Sequence, residues 1–346
     1  NMKKVYLPGW INDLDESMSK WIEQFTCPGF MIVPRKPWPC GNEYHTIVDN
    51  TSDVLFALEL VEGKDSPPQA VPKKYAEKGK TVSLVLRLTE SLSGTGAIVT
   101  MDSGFSVLQA ITELKAKGIY AAAVVKKRRY WPRYVKGDDI IQYMGDKQIG
   151  DACVQRGTLN GESFKIVALK EADYVMMMMT TYGTLERHGR EITKKTLDGQ
   201  TNKYQYPEVI HKHYAYRDGV DNHNSRRMHP IAIEEQMKTS RWAFRVFQFL
   251  LAVTEVNCHN AAVHFQQEPK MRQHLFRREL ADELINNEYL SQEIRRESLG
   301  RTAKMRDTRH DLVSVPAFKK FRGSELVDGK CRYPTWKCCD LNKRVR

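Results

Sequence analysis

The stretch AIVTMDSGFSVLQAI, residues 97–111, puts one acid, Asp102, where an apolar run stops and a helical pattern begins. Two chemistries suit a carboxylate at such a junction. It can cap the helix by accepting hydrogen bonds from the free N–H groups of the first turn. It can also be a catalytic acid at the carboxyl end of a strand, and then it needs partners from elsewhere in the chain. Two other acids sit in comparable settings: Asp15 in WINDLDESM and Asp221 in YRDGVDNHN, 87 residues before Asp102 and 119 after it. Only a fold can unite groups so far apart. Three converging carboxylates repel one another unless cations neutralise them. A pair of Mg²⁺ or Mn²⁺ ions about 4 Å apart does so, activating a nucleophile and stabilising a leaving oxygen in phosphoryl transfer. Asp13 is the reserve for the first position, because alternate residues of a strand share a face.

Other groups compete for attention. His211, His213, His223 and His229 surround Asp221 and imitate a zinc site, but hard Mg²⁺ prefers oxygen, so they are not read as ligands. The seven cysteines include no CxxC pair, and Cys331, Cys338 and Cys339 lack two-plus-two zinc spacing. Reduced thiols are the expectation, with no bound zinc. The segment KKRRYWPRYVK, 126–136, interleaves six cations with Tyr130, Trp131 and Tyr134. That mixture suits phosphates and stacked bases, although a solvated loop reads the same way.

The elements that must position these groups are legible in outline. Strand-like runs occupy 43–49 and 54–61, and Asp15 falls before that hairpin. A helix follows at 80–92, then the strand AIVTM, the helix SVLQAITELKAKG closed by Gly118, and the strand YAAAVV. If the first strand lies beside the one ending at Asp102, their carboxyl ends meet, and a packed helix supplies the third acid. Residues 126–162 read as basic, polar and irregular. Strands follow at SFKIVAL and YVMMMMTT, the four methionines filling gaps in a buried strand. Thr239–Phe265 reads as a helix apolar on more than one face and therefore mostly buried, and 271–290 as a second, amphipathic helix.

The chain has 346 residues, 41% of them hydrophobic and 28% charged, an ordinary globular composition with room for two or three domains. It carries no apolar run long enough to span a membrane and no signal-peptide pattern. It begins with Asn rather than Met, as a piece of a longer protein would. The net charge of +12 favours a polyanionic partner. Half of that charge lies in the tail from Pro316 to Arg346.

In order along the chain, DES, VPRKPWPCGNEY, MDSGFS, KKRRYWP, HYAYRDGVD and RWAFRVFQFLLAVTEVNCHNAAV resemble the series found in piggyBac-type transposases and their domesticated relatives. The resemblance implies an RNase H-like catalytic domain interrupted by an insertion, with a helical dimerisation and DNA-binding region. It maps the family's three catalytic, metal-binding aspartates onto Asp15, Asp102 and Asp221. It also implies two divalent metals, cutting at transposon ends through a hairpin, and joining at TTAA. Three positions and one motif depart from the family pattern: Asn224 stands where an acid is common, Tyr214 replaces an Asn, Val125 replaces an Arg, and DSGFS replaces a longer motif. CRYPTWKCC resembles only the threshold of the family's Cys-rich zinc module.

The resulting expectation is an α/β protein with an RNase H-like mixed sheet flanked by helices, an insertion domain and an all-helical C-terminal region. Its parts are a catalytic core at 1–125 and 208–237, an insertion at 126–207, a helical region at 238–315 and a basic tail at 316–346. Lys126, Lys127, Arg128, Arg129, Arg133, Lys319, Lys320 and Arg322 are the expected DNA contacts. The function expected is that of a piggyBac-like DNA transposase, truncated or decayed, or of a domesticated, inactive DNA- or chromatin-binding relative. The expected partners are double-stranded DNA at transposon ends and TTAA targets, and a second copy in a homodimer, with no membrane; the expected location is the nucleus. An RNase H-like nuclease unrelated to transposition is a third reading, disfavoured by the long helical segment after Asp221. The three carboxylates should lie within several ångströms of a common point.

Overall fold

A computed structural model describes residues 6–23, 26–61, 72–126, 137–195, 199, 201–229, 231–265 and 271–286. Beyond these it describes only the backbone of four short segments after residue 311. The chain divides into two units, 1–276 and 277–346.

The first unit is organised by strand β1, Ile11–Lys20. Strands β2 (Met31–Ile32), β3 (Cys40–Asp49) and β4 (Val54–Leu60) follow it, with both β2 and β4 pairing on the outer edge of β3. β1 pairs antiparallel with β3 on one side and parallel with β5, Ile98–Met101, on the other. β6, Tyr120–Val124, continues parallel to β5. The sheet then extends through β9 (Val175–Thr180), β8 (Glu162–Lys170) and β7 (Ala152–Leu159), all antiparallel, to make nine strands. The run β4-β3-β1-β5-β6, with its hairpins followed by parallel crossovers, has the RNase H-like order, and helices cover both faces.

Asp15, before the β3–β4 hairpin as expected, lies within a strand of its own at the centre of the sheet. β1 hides this because Asn12, Asp13, Ser17 and Ser19 are buried polar residues, so the alternation of apolar and polar side chains that marks a strand is missing. Segment 126–162, read as irregular, contains helix α4 at Gly137–Gly145 and strand β7. Asp138 and Asp139 sit in the first turn of α4, and Ile140 and Met144 bury one face four residues apart.

Along β1 the alternation is structural even where it is not hydrophobic. Leu14 faces one core layer, formed with Val82, Val85 and Leu86 of α2 (Lys80–Leu88) and Ile111 and Leu114 of α3 (Leu108–Ala116). Ile11 faces the other layer, with Val209 and Ile210 of α5, Glu208–Tyr216. Beside it, Val220 of α6 (Gly219–Met228) packs with Phe249 and Val253 of α8, Trp242–Phe265. The methionine strand divides between the layers: Met177 and Met179 face one, Met176 and Met178 the other, and all four are buried.

Helix α8 departs from the expectation of general burial. Its Phe249, Ala252, Val253 and Val256 are buried, but Phe244, Phe247, Leu250 and Leu251 are exposed. The helix meets the sheet through one stripe, and its second apolar face has no cover among the described residues. Between residues 137 and 207, β7, β8 and β9 join the main sheet, while β10 (Arg187–Lys195) and β11 (Thr201–Pro207) form a separate hairpin. The short helices are α1, Lys73–Ala76, and α7, Ile233–Gln236. Helix α9, Gln273–Asn286, begins in the first unit and ends in the second. The second unit also holds two short antiparallel ladders, Leu312–Ser314 with Trp336–Cys338 and Leu326–Val327 with Lys330–Cys331.

Candidate active site

The parallel register of β1 with β5 pairs Asp13 with Thr100 and Leu14 with Met101. Asp15 and Asp102 are the next residues along, so the two acids stand level, Asp102 just past the end of β5 and Asp15 midway along the longer β1. Each is two residues beyond a member of the Asp13–Thr100 pair, which puts all four on the face covered by α5 and α6. The capping alternative for Asp102 is not what the fold uses. Its side chain makes no capping bond to the 3₁₀ turn Ser103–Phe105, and α3 starts only at Leu108, behind Val107.

The third acid arrives on α6. The N-cap residue of this helix, Asp218, makes no side-chain capping bond, and the role passes to Asp13 from the sheet. Val220 N–H donates to Asp13 Oδ2 at 3.1 Å, and Thr100 Oγ1 donates to Asp13 Oδ1 at 3.0 Å. A carboxylate at a helix N-terminus meets both free N–H groups and the positive end of the helix dipole. Gly219 allows the approach: a Cβ there would lie 2.2 Å from Asn50 Oδ1 and 3.2 Å from Asp13 Cβ. Asp13, the reserve for the first catalytic position, is thus a buried anchor for the helix; it lines only the larger cavity, whereas Asp15 lines both.

Asp15, Asp102 and Asp221 together line two adjoining cavities, of about 450 and about 700 Å³. They share walls without closing into a cluster. Among the described residues no group of three or more His, Cys, Asp or Glu side chains could hold a metal ion as it stands. The two acids of the sheet also differ in charge environment. Burial, reinforced by the neighbouring Glu16 carboxylate, lifts Asp15 to about 7, against the pull of Lys36. For Asp102 burial acts upward too, but the Ser103 amide, Lys126 and Arg35 outweigh it and hold the carboxyl below its usual range. Lys126 Nζ lies 3.0 Å from Asp102 Oδ1. This lysine, expected at DNA, here supplies the countercharge of an acid in the site.

The donor set suits Mg²⁺ or Mn²⁺ in kind: three carboxylates of hard oxygen, with the Asn224 amide on the same wall. Asn224 occupies the turn of α6 after Asp221 and is buried, its Oδ1 accepting from Arg227 at 3.5 Å. Tyr214 and Val125, two other departures from the family pattern, line the second cavity. His229 and His213 each line one cavity, while His223 is buried against Asn257 Oδ1 at 3.1 Å.

Sequence reasoning missed Glu16, Arg35, Lys36 and Trp38, which line the first cavity. The signal was present in VPRKPWP, which mixes cations, an aromatic residue and proline much as KKRRYWP does. Of the expected DNA contacts, Lys127, Arg128, Arg129, Arg133, Lys319, Lys320 and Arg322 lie outside the described residues, as do the side chains of Cys331, Cys338 and Cys339. No helix among the described residues is long and apolar enough to cross a membrane.

A family model described as Transposase IS4 matches residues 1–259. Among solved structures, the cryo-EM structure of a piggyBac transposase synaptic complex with hairpin DNA is similar, with a TM-score of 0.56 and 15% identity. The match covers 90% of this chain and 64% of that one, so this chain spans less than two thirds of its length. At this identity the likeness is one of fold. No curated protein matches the chain.

Proposed function

We propose, for a chain that belongs to the Transposase IS4 family of DDE transposases, that it is a piggyBac-like DNA transposase in a decayed state. It binds double-stranded DNA in the nucleus, where that substrate is found, and its acids are those of a cut-and-paste centre acting at TTAA. The observation that carries this reading is the level placement of Asp15 and Asp102 where the parallel pairing of β1 with β5 stops, with Asp221 on the wall of the same cavity. The similar piggyBac transposase was captured with hairpin DNA, which supports DNA as the partner here.

Asp15, Asp102 and Asp221 would hold two Mg²⁺ or Mn²⁺ ions, which supply Lewis acidity to the attacking and leaving oxygens of a phosphodiester. The rest falls to the chain itself. Asp13 fixes α6 so that Asp221 stays with the other two acids. Arg35 and Lys36 give the cavity rim a positive charge suited to the DNA backbone, and Lys36 Nζ is anchored on the Glu16 carbonyl at 3.2 Å. DNA arriving there would draw Lys126 from Asp102 toward phosphate, opening that carboxylate.

A second reading, DNA binding without chemistry, is favoured by the Lys126–Asp102 ion pair and by the neutral Asn224 on the cavity wall. A reporter flanked by TTAA and terminal inverted repeats separates the two. The unmodified chain should bind DNA with steep salt dependence and little sequence preference, and excise the reporter scarcely above background. Efficient excision would overturn the decayed state. A lack of salt-sensitive DNA binding would overturn both readings.

A further inference from the structure

One indole, that of Trp38, lines the acidic cavity, and what holds it there is found in the core. Tyr44 of β3 and Phe249 of α8 stack with ring centroids 3.8 Å apart and planes 4° from parallel. The Arg227 guanidinium lies 4.6 Å from the Phe249 centroid and 5.4 Å from that of Trp38. Arg227 is fully buried, ion-paired to Glu234 and donating to the Met18 carbonyl at 2.7 Å, so it cannot drift. Tyr44, Phe249, Arg227 and Trp38 thus form a column from the core to the cavity. Trp38, half-buried, ends it.

The loop that presents Trp38 is stiff. Pro34, Pro37 and Pro39 punctuate it, Val33 N–H closes it on the Pro39 carbonyl at 2.7 Å, and Lys36 N–H returns to the Val33 carbonyl at 3.0 Å. A cation under one face of an indole fixes its orientation and leaves the other face available. On the same wall Arg35 is well exposed and Lys36 is directed at β1.

We infer that the free face of Trp38 is a stacking platform for an unpaired nucleobase of the DNA strand whose phosphate lies at Asp15, Asp102 and Asp221, with Arg35 meeting the adjoining phosphate. This rests on the DNA-transposase reading above. The ligand class is single-stranded DNA next to a duplex end, since a paired base has both faces occupied by its neighbours. Base–aromatic stacking is tolerant of base identity, so the platform senses that a base is extruded and not which base it is.

The test uses the full chain in EDTA and three oligonucleotides: a blunt duplex, the same duplex with unpaired terminal nucleotides, and that second duplex with abasic sites in the unpaired stretch. The wild-type chain should prefer the unpaired bases over the abasic probe by about 5- to 150-fold. Trp38→Ala should abolish that preference, and Trp38→Tyr should retain most of it. Equal wild-type affinity for base and abasic probes overturns the platform, and this comparison does not depend on any variant folding. A preference that survives Trp38→Ala also overturns it by assigning the stacking to another residue. Failure of the wild type to bind any probe overturns the transposase reading itself, and the platform with it.

Discussion

Asp15 and Asp102 stand level on neighbouring parallel strands, each one residue beyond the last paired rung, Leu14 with Met101. Their separation is thus set by the spacing of adjacent strands and not by side-chain contacts. A one-residue slip of β1 against β5 would turn Asp15 to the opposite face, where Leu14 packs against α2 and α3. The buried apolar residues on that face oppose the slip.

Releasing Asp102 from its lysine should favour metal. Lys126→Met removes a cation 3.0 Å from Asp102 Oδ1, so Mn²⁺ binding should tighten by about threefold to tenfold, read by calorimetry. The lysine side chain is 59% exposed, so thermal stability should barely move. Unchanged Mn²⁺ affinity would mean that Lys126 already swings clear in solution.

Asn224→Asp should also tighten Mn²⁺ or Mg²⁺ binding, because a carboxylate stabilises a cation more than an amide does. The gain should be modest, about tenfold at most. The new charge would share its attraction with Arg227, which already donates to this position at 3.5 Å. Calorimetry on the isolated protein measures it, and weaker binding would show that Arg227 captures the new carboxylate entirely.

Breaking the buried ion pair should be costly. Arg227→Met leaves Glu234 as an uncompensated charge that is 1% exposed, a loss of about 3–5 kcal/mol in urea unfolding. Replacing both, Arg227→Met with Glu234→Gln, should recover much of that loss. A double variant as unstable as the single one would instead assign the cost to the lost aromatic stacking on Phe249 and Trp38.

Acid should weaken the fold through His213. Burial, aided by Arg217 and Lys126 and opposed by Asp102, lowers this group from 6.5 to about 4. Below pH 6.5 the unfolded chain binds a proton that the folded chain refuses, so stability falls with pH until about 4. The slope from this group is about 1.4 kcal/mol per pH unit at most. His213→Gln should flatten the pH dependence of the urea midpoint across that window. A profile identical to wild type would mean that His213 titrates normally.

The legibility of the site followed the chemistry of each element. Asp102 was readable because IVTM is a fully buried strand, apolar but for Thr100, and its end shows as an abrupt acid. Strand β1 was not, since its polar residues are satisfied by the fold: Asn12 donates to the Gly9 and Ile98 carbonyls, and Ser17 pairs with Thr46. Hydrophobic periodicity cannot see a strand whose burial depends on hydrogen bonds made 29 or 86 residues away. Asp221 and Asp15 stood out only as acids in comparable settings, and it took the ordered motifs to choose them among the chain's many acids. The roles of Arg35, Lys36 and Trp38 needed a hairpin to be folded back over β1, a relation that no local pattern records.

The three acids are not held with equal firmness, and this follows from the tether at Asp13. Two belong to the sheet, whose register cannot change without unfolding a core. The third rides on a helix whose first turn is fastened to the sheet by the Val220 N–H bond to Asp13. An opening confined to the first turn of α6, ahead of the Arg227 anchor on the Met18 carbonyl, would therefore displace Asp221 while the sheet stays intact. In hydrogen–deuterium exchange the amide of Val220 would report that opening, exchanging well before the amides of β1 and β5. Loss of function in such a molecule can begin as a loosened helix, long before any of the three acids is lost from the sequence.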